Sequence, residues 1–313
     1  MYLTNSFSAV LTMLTLISLG VLTSKLGFVD DQTEVRLSKL TLNFSVPCLL
    51  FVSCLKYISR EMVSELGFSL LIPALIIIIG YIIAIAVAKL FRIPRENFGL
   101  FCVMFSMSNA IFIGLPINLM IFGQEALPLV AAYFPFNVFL FWTIGAIGIA
   151  ADVGIKEKPG LGTLKKLLTP PLVGAILGSA FALIGIPLPG FLTDAMSYMG
   201  ALTTPVASIL VGCTVAKMGK EMFKLSKEGK LTLLGRFVVS PAIAISLCLL
   251  FGAPFLATNV FVLESAMPVM NQGMLLARSY NANHRLAAQM IAVTTVITML
   301  YVPGLVFLLS KLI

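Results

Sequence analysis

Ten separated apolar stretches, each long enough to span a bilayer as a helix, leave this chain almost nothing else to build with. They run over 5–23, 37–55, 66–90, 98–122, 128–151, 164–185, 193–215, 231–252, 255–279 and 287–309. A membrane helix needs about 20 apolar residues. Within lipid every main-chain N–H and C=O must be satisfied internally, which leaves helices as the solution for such segments. The chain is 59% hydrophobic and 11% charged, with a mean hydropathy of +1.05. Soluble domains carry charge on about a quarter of their residues. The expected class is therefore an all-α polytopic membrane protein of ten transmembrane helices. The first stretch has neither a basic leader nor a small-residue cleavage site, and reads as a retained span.

The formal charge of +8 invites a nucleic-acid partner, but its placement argues against one. With the N-terminus outside, all but Lys56, Arg60 and Lys311 of the 21 Lys and Arg fall on cytoplasmic loops or helix ends. That bias is the positive-inside rule. It predicts a multi-pass protein of the cell inner (plasma) membrane, with both termini on the non-cytoplasmic side and the lipid bilayer as its surroundings. Arg236, a few residues into its stretch, is expected to snorkel to the cytoplasmic surface. The five cysteines stand singly in apolar segments, without metal-ligand or redox spacing, and read as small buried hydrophobes.

The most polar interior stretch, 152–163, divides the chain into 1–151 and 164–313, with five spans on each side. An odd number of spans per half gives the second half the opposite orientation. Pro47 and Pro205, Gly20 and Gly178, and Gly27 and Gly185 are each 158 apart, and Pro116 and Pro268 are 152 apart. The expected organisation is two inverted five-helix repeats joined by a cytoplasmic linker.

Two spans carry proline, glycine and amides where an unbroken helix belongs: Ser108 to Asn118 in the fourth and Glu264 to Gly273 in the ninth. Proline removes an N–H and clashes with the preceding turn. Pro116, following Gly114, is expected to split its span and start a half-helix near Leu115; Pro268 is expected to do the same in the ninth. Half-helix starts offer free N–H groups and a positive dipole end. Broken helices in matching positions of two halves point to a secondary transporter's binding site. Inverted halves let the breaks cross, bringing Asn109, Asn118, Asn271 and Gln272 together. Asn43 in span two and Asn137 in span five are further binding candidates, although such residues also serve as interhelical glue.

Glu264 is the one acid well inside an apolar stretch, a turn before Pro268. Buried carboxylates in membranes commonly handle ions, so Glu264, with Gln272 nearby, is the candidate ion-coupling site. It would take sodium, as a metal ligand, or a proton. No other cofactor is expected. No nucleotide cradle of the Walker type is present, and one loop histidine with one buried acid does not make an enzyme. A channel is the remaining class, since broken helices also line pores.

Taken together, these segments resemble the auxin efflux carrier family, in its bacterial malate and malonate permease-like branch. The resemblance rests on Asn109 to Pro116 (NAIFIGLP), Met267 to Asn281 (MPVMNQGMLLARSYN), Thr41 to Phe51 and Gly235 to Ala244. It covers the full ten-span plan. It implies crossed, unwound helices 4 and 9, a scaffold from spans 1, 2, 6 and 7 that dimerises, and a transport core from spans 3–5 and 8–10. The core would move as an elevator, carrying a small organic anion such as a mono- or dicarboxylate. By motif position, Asn109, Pro116, Pro268 and Asn271 carry over as binding residues. Thr169-Pro170-Pro171 departs from the family's more usual Asn before proline. Glu264 and Gln272 are instead similar to features of bile acid:sodium symporters, which share the crossover architecture. That likeness implies, as the alternative, sodium-coupled symport of a larger organic anion.

Overall fold

The computed structural model describes residues 2–155, 168–217 and 224–312. The linker expected over 152–163 therefore lies outside the described residues from position 156 onward. Counting helices through their π and 3-10 turns, twelve follow in order among the described residues: α1 (Tyr2–Lys25), α2 (Asp31–Tyr57), α3 (Arg60–Leu90), α4 (Phe98–Ser106), α5 (Ala110–Phe122), α6 (Gln124–Asp152), α7 (Pro170–Ile184), α8 (Gly190–Ala216), α9 (Lys227–Leu250), α10 (Phe255–Ser265), α11 (Asn271–Ser279) and α12 (His284–Leu312). Helices α2, α3, α6, α8, α9 and α12 are long and apolar enough to cross a membrane. Many large apolar side chains remain exposed, including Phe68, Leu90, Ile82 and Leu250. Water would penalise such a surface and lipid would not. The protein is thus a multi-pass, all-helical membrane protein.

Local chemistry explains the helix boundaries. Asp30 caps α2, its Oδ1 accepting from the Thr33 N–H at 2.7 Å. Ser59 caps α3 by accepting from the Met62 N–H at 3.1 Å. Each satisfies a donor that a helix start leaves free. Prolines within the long helices are absorbed rather than allowed to break them. Thr41–Ser45, Ala110–Gly114 and Gly235–Val239 widen into π turns just before Pro47, Pro116 and Pro241. The N–H groups of Val46, Leu115 and Ser240 reach back five residues, to Thr41, Ala110 and Gly235. The wider turn relieves the clash of the proline ring with the preceding turn.

Helices pack backbone to backbone at several glycines, and two of the pairs correspond to each other. In the first, α1 meets α8 at Gly20, where an added Cβ would lie 2.4 Å from the Ile209 carbonyl oxygen. In the second, α7 meets α2 at Gly178, where it would lie 2.3 Å from the Phe51 carbonyl oxygen. Only glycine permits these approaches, the usual device of membrane helix packing. The rest of the buried core gathers around α4, which is buried from Gly99 to Ser106. Helix α6 supplies its cap: Asp152 Oδ1 and Oδ2 accept from the N–H groups of Gly99 and Leu100 at 2.7 and 2.8 Å.

Candidate functional site

The chain is interrupted twice inside the core, and the interruptions touch. Between α4 and α5, Met107 is extended and Asn109 caps the next helix, its Oδ1 accepting from the Phe112 N–H at 3.3 Å. Between α10 and α11, the chain runs extended into Met270, the residue before α11. Ser108 and Val269 form an isolated antiparallel bridge, and the Asn109 N–H donates to the Pro268 carbonyl at 2.8 Å. Side chains complete the main-chain pairing there. Asn137 Nδ2 donates to the Ser108 carbonyl at 2.7 Å, and Thr294 Oγ1 accepts from the Val269 N–H at 3.1 Å.

The first break does not fall where the sequence placed it. It lies at Met107 to Asn109, about two turns ahead of Pro116, and the half-helix starts at Ala110 rather than near Leu115. The π turn Ala110–Gly114 accommodates Pro116, so the proline is embedded in a continuous helix. Pro268 does lie in its break.

Arg236 also departs from expectation. It does not snorkel to a surface: on α9, it is fully buried. Its Nη2 donates to the carbonyls of Ser265 (2.6 Å) and Met267 (2.7 Å), its Nε to Met267 (3.0 Å) and its Nη1 to Phe105 (3.5 Å). These carbonyls close α4 and follow or close α10, the two half-helices that run into the breaks. Helix C-termini carry partial negative charge, so one guanidinium serves both ends. Sequence position alone suggested a helix-end residue, and the only signal otherwise was its lying inside an apolar stretch.

Two cavities flank the meeting point. The larger, ≈ 130 Å³, has Asn43, Asn109, Asn137, Thr169 and Gln272 as its principal polar lining, with Ser108 and the first residues of α5 beside them. Among the described residues, no Asp, Glu, Lys or Arg lines it. Three of its lining residues carry buried polar atoms without a partner: Ser108 Oγ, Asn137 Oδ1 and Thr169 Oγ1. The smaller, ≈ 70 Å³, is reached by Asn109 and Asn271 together with Glu34, Ser38, Thr214 and Thr295. Of the sequence candidates, Asn43, Asn109, Asn137 and Gln272 meet at the larger cavity, and Asn109 and Asn271 at the smaller. Ser108 and Thr169 were not singled out as binding residues; Ser108 only opened the first broken segment and Thr169 only marked a departure from the family's Asn.

Gly114, Pro116, Asn118, Glu264 and Pro268 line neither cavity. Glu264 is fully buried, and its Oε1 accepts from Asn118 Nδ2 at 2.7 Å. The same amide donates to the Gly114 carbonyl at 2.9 Å. A Cβ on Gly114 would lie 2.5 Å from both carboxyl oxygens, so glycine makes room for the acid. Gln272 stands at the cavity, on the far side of the second break from Glu264.

Comparison with known proteins gives the family. The chain is 25% identical over 298 residues to an uncharacterized transporter of Methanocaldococcus jannaschii, covering 94% of this chain and 95% of the relative. It is 26% identical over 306 residues to an uncharacterized transporter of Methanothermobacter thermautotrophicus, covering 95% and 96%. It is 25% identical over 319 residues to a protein of Rhizobium meliloti named "putative malonate transporter", covering 95% and 93%. The family model described as "Membrane transport protein" matches residues 5–306. This bears out the resemblance to the auxin efflux carriers: the chain belongs to the membrane transport protein family.

Proposed function

We propose that the protein is a secondary carrier of a small organic anion, bound in the larger cavity where the two breaks meet. The observation that carries this reading is the chemistry of that cavity. Its lining residues carry amides and unpartnered hydroxyls but no ionisable side chain, and the first residues of α5 and α11 border it. Ser108 and Thr169 hydroxyls can donate to a carboxylate, and the two half-helix starts add free N–H groups and positive dipole ends. Hydrogen bonds to an ionised acceptor are about twice as strong as neutral ones. A cationic substrate would meet the wrong dipole ends. The volume suits a mono- or dicarboxylate better than a large amphipathic anion, and the Rhizobium relative's name makes malonate the first substrate to try.

In this reading the chain crosses the membrane ten times, with α4–α5 and α10–α11 as broken crossings of two inverted repeats. The glycine contacts support it. Gly20 meets Ile209 and Gly178 meets Phe51; Gly20 and Gly178, and Phe51 and Ile209, are each 158 apart, so one pair of contacts maps onto the other. Helices α1, α2, α7 and α8 form the scaffold, the surface offered to a second copy, and the remaining helices carry the substrate past it as an elevator. Both cavities lie between these sets: α2 and α8 line the smaller, α2 and the start of α7 the larger. Both termini face away from the cytoplasm. Labelled malonate uptake into proteoliposomes tests the carrier. Saturable uptake with counterflow is expected, and linear flux without counterflow would indicate a pore.

A further inference from the structure

The Glu264–Asn118 pair is unfinished in one specific way. Asn118 Nδ2 donates to Glu264 Oε1 at 2.7 Å, while Glu264 Oε2 and Asn118 Oδ1 are both buried without any partner. Both free atoms are acceptors if the acid is ionised. A single proton on Oε2 turns one into a donor that can bond the amide oxygen and close the two-bond ring that a carboxylic acid and a primary amide form. Leaving such groups unpaired in a buried site costs about 1–3 kcal/mol each.

Local charge points the same way. From α9, Arg236 directs its bonds at the carbonyls of Phe105, Ser265 and Met267. Two helix C-termini carry roughly half a negative charge each, so the guanidinium is already balanced. It lies within electrostatic reach of Glu264 but forms no ion pair with it. From α6 the buried Tyr133 hydroxyl also lies within electrostatic reach of these two groups. An ionised Glu264 would be a surplus buried charge, which is costly in any protein interior.

Sodium fits this site poorly. Hard cations take about six or more oxygen ligands. Here two oxygens are free, an amide N–H occupies a third, an arginine stands close by, and Gln272 is at the cavity instead. No cluster of three acid, histidine or cysteine side chains exists among the described residues.

We propose that Glu264 is a proton-binding site, held as the neutral acid in a two-bond pair with Asn118, and that this proton is the carrier's coupling ion. The coupling role rests on the transport reading above; the proton site does not. The pair joins α10, which enters one break, to α5, which leaves the other. Loss of the proton removes the second bond of the pair and leaves two unpaired acceptors and a buried charge at that joint, while the Nδ2–Oε1 bond remains.

Infrared spectra of the protein in liposomes at neutral pH test the site without any transport. The expected result is a neutral-carboxyl C=O band that is lost in Glu264→Gln and shifted toward the free-acid position in Asn118→Leu. The second variant keeps the test intact if the first fails to fold. Absence of the band in wild type, an unshifted band in Asn118→Leu, or its replacement by a carboxylate band on adding sodium would overturn the proposal. In the same liposomes, an inward proton gradient is expected to stimulate wild-type malonate uptake. Stimulation by a sodium gradient alone would overturn the coupling role. A proton band with no uptake of any organic anion would instead refute the carrier reading while leaving the site standing.

Discussion

Arg236→Met is the perturbation that most severely tests how the two breaks are held. The substitution keeps a long unbranched side chain in a fully buried position and removes every donor. Two main-chain carbonyls, Ser265 at 2.6 Å and Met267 at 2.7 and 3.0 Å, lose short bonds; Phe105, at 3.5 Å, loses little. Orphaning buried acceptors costs about 1–3 kcal/mol each. Withdrawing the cation from two helix C-termini adds about 0.3–1 kcal/mol per helix. Relief of the guanidinium's own desolvation offsets part of this, leaving a net loss of about 3–5 kcal/mol, as for other buried charged networks broken on one side. That is a large share of a typical protein's stability of about 5–15 kcal/mol, so Arg236→Lys is measured beside it. Lysine keeps the charge but not the fork, and an intermediate loss is expected. The assay is reversible unfolding in mixed micelles titrated with denaturing detergent. Arg236→Met within about 1 kcal/mol of wild type, the usual effect of an unremarkable substitution, would refute the role assigned to the clamp.

The other predictions follow from single contacts. Gly114→Ala places a methyl 2.5 Å from both Glu264 oxygens, and is expected to destabilise by about 1–3 kcal/mol as overpacking does, read in the same unfolding assay. Gly178→Val drives a side chain into the Phe51 backbone, 2.3 Å from its carbonyl oxygen. It is expected to cost a similar amount, about 1–3 kcal/mol, while leaving malonate affinity intact in the protein that folds. Asp152→Asn keeps the shape of the α4 cap, but an amide nitrogen cannot accept, so one of the two bonds of 2.7 and 2.8 Å is lost and the other loses its charge; a loss of about 1–3 kcal/mol is expected. Gln272→Ala removes a cavity-lining amide and is expected to weaken malonate binding about tenfold, the equivalent of about 1.4 kcal/mol, measured as a rise in half-saturating concentration.

Much of the architecture was written in local sequence. Apolar length gave the membrane class, and proline with glycine and amides marked the two segments that meet in the core. Asn109, Asn137, Asn43 and Gln272 were found because an amide in an apolar helix is conspicuous. What escaped was set by contacts between distant parts of the chain. Arg236 reaches partners 31 and 131 positions away, and nothing local distinguishes it from a snorkelling residue. Asn118 and Glu264, 146 apart, were each visible as polar residues but not as a pair. Pro116 misled because proline's effect depends on the turn before it: a π turn absorbs the missing N–H, and the break moves to Met107–Asn109, where extended backbone can pair with Val269 instead. Thr169 marks only the place where the family's Asn is missing, and nothing local shows that its hydroxyl reaches the cavity.

The central claim, that a small organic anion sits where the two breaks meet, is tested most directly by malonate counterflow in proteoliposomes with wild type and Asn109→Ala side by side. Asn109 borders both cavities, caps α5 and carries the N–H that joins the breaks. Saturable counterflow is expected in wild type, with its loss in Asn109→Ala protein that remains folded. Counterflow of equal rate and half-saturation in both would contradict that claim.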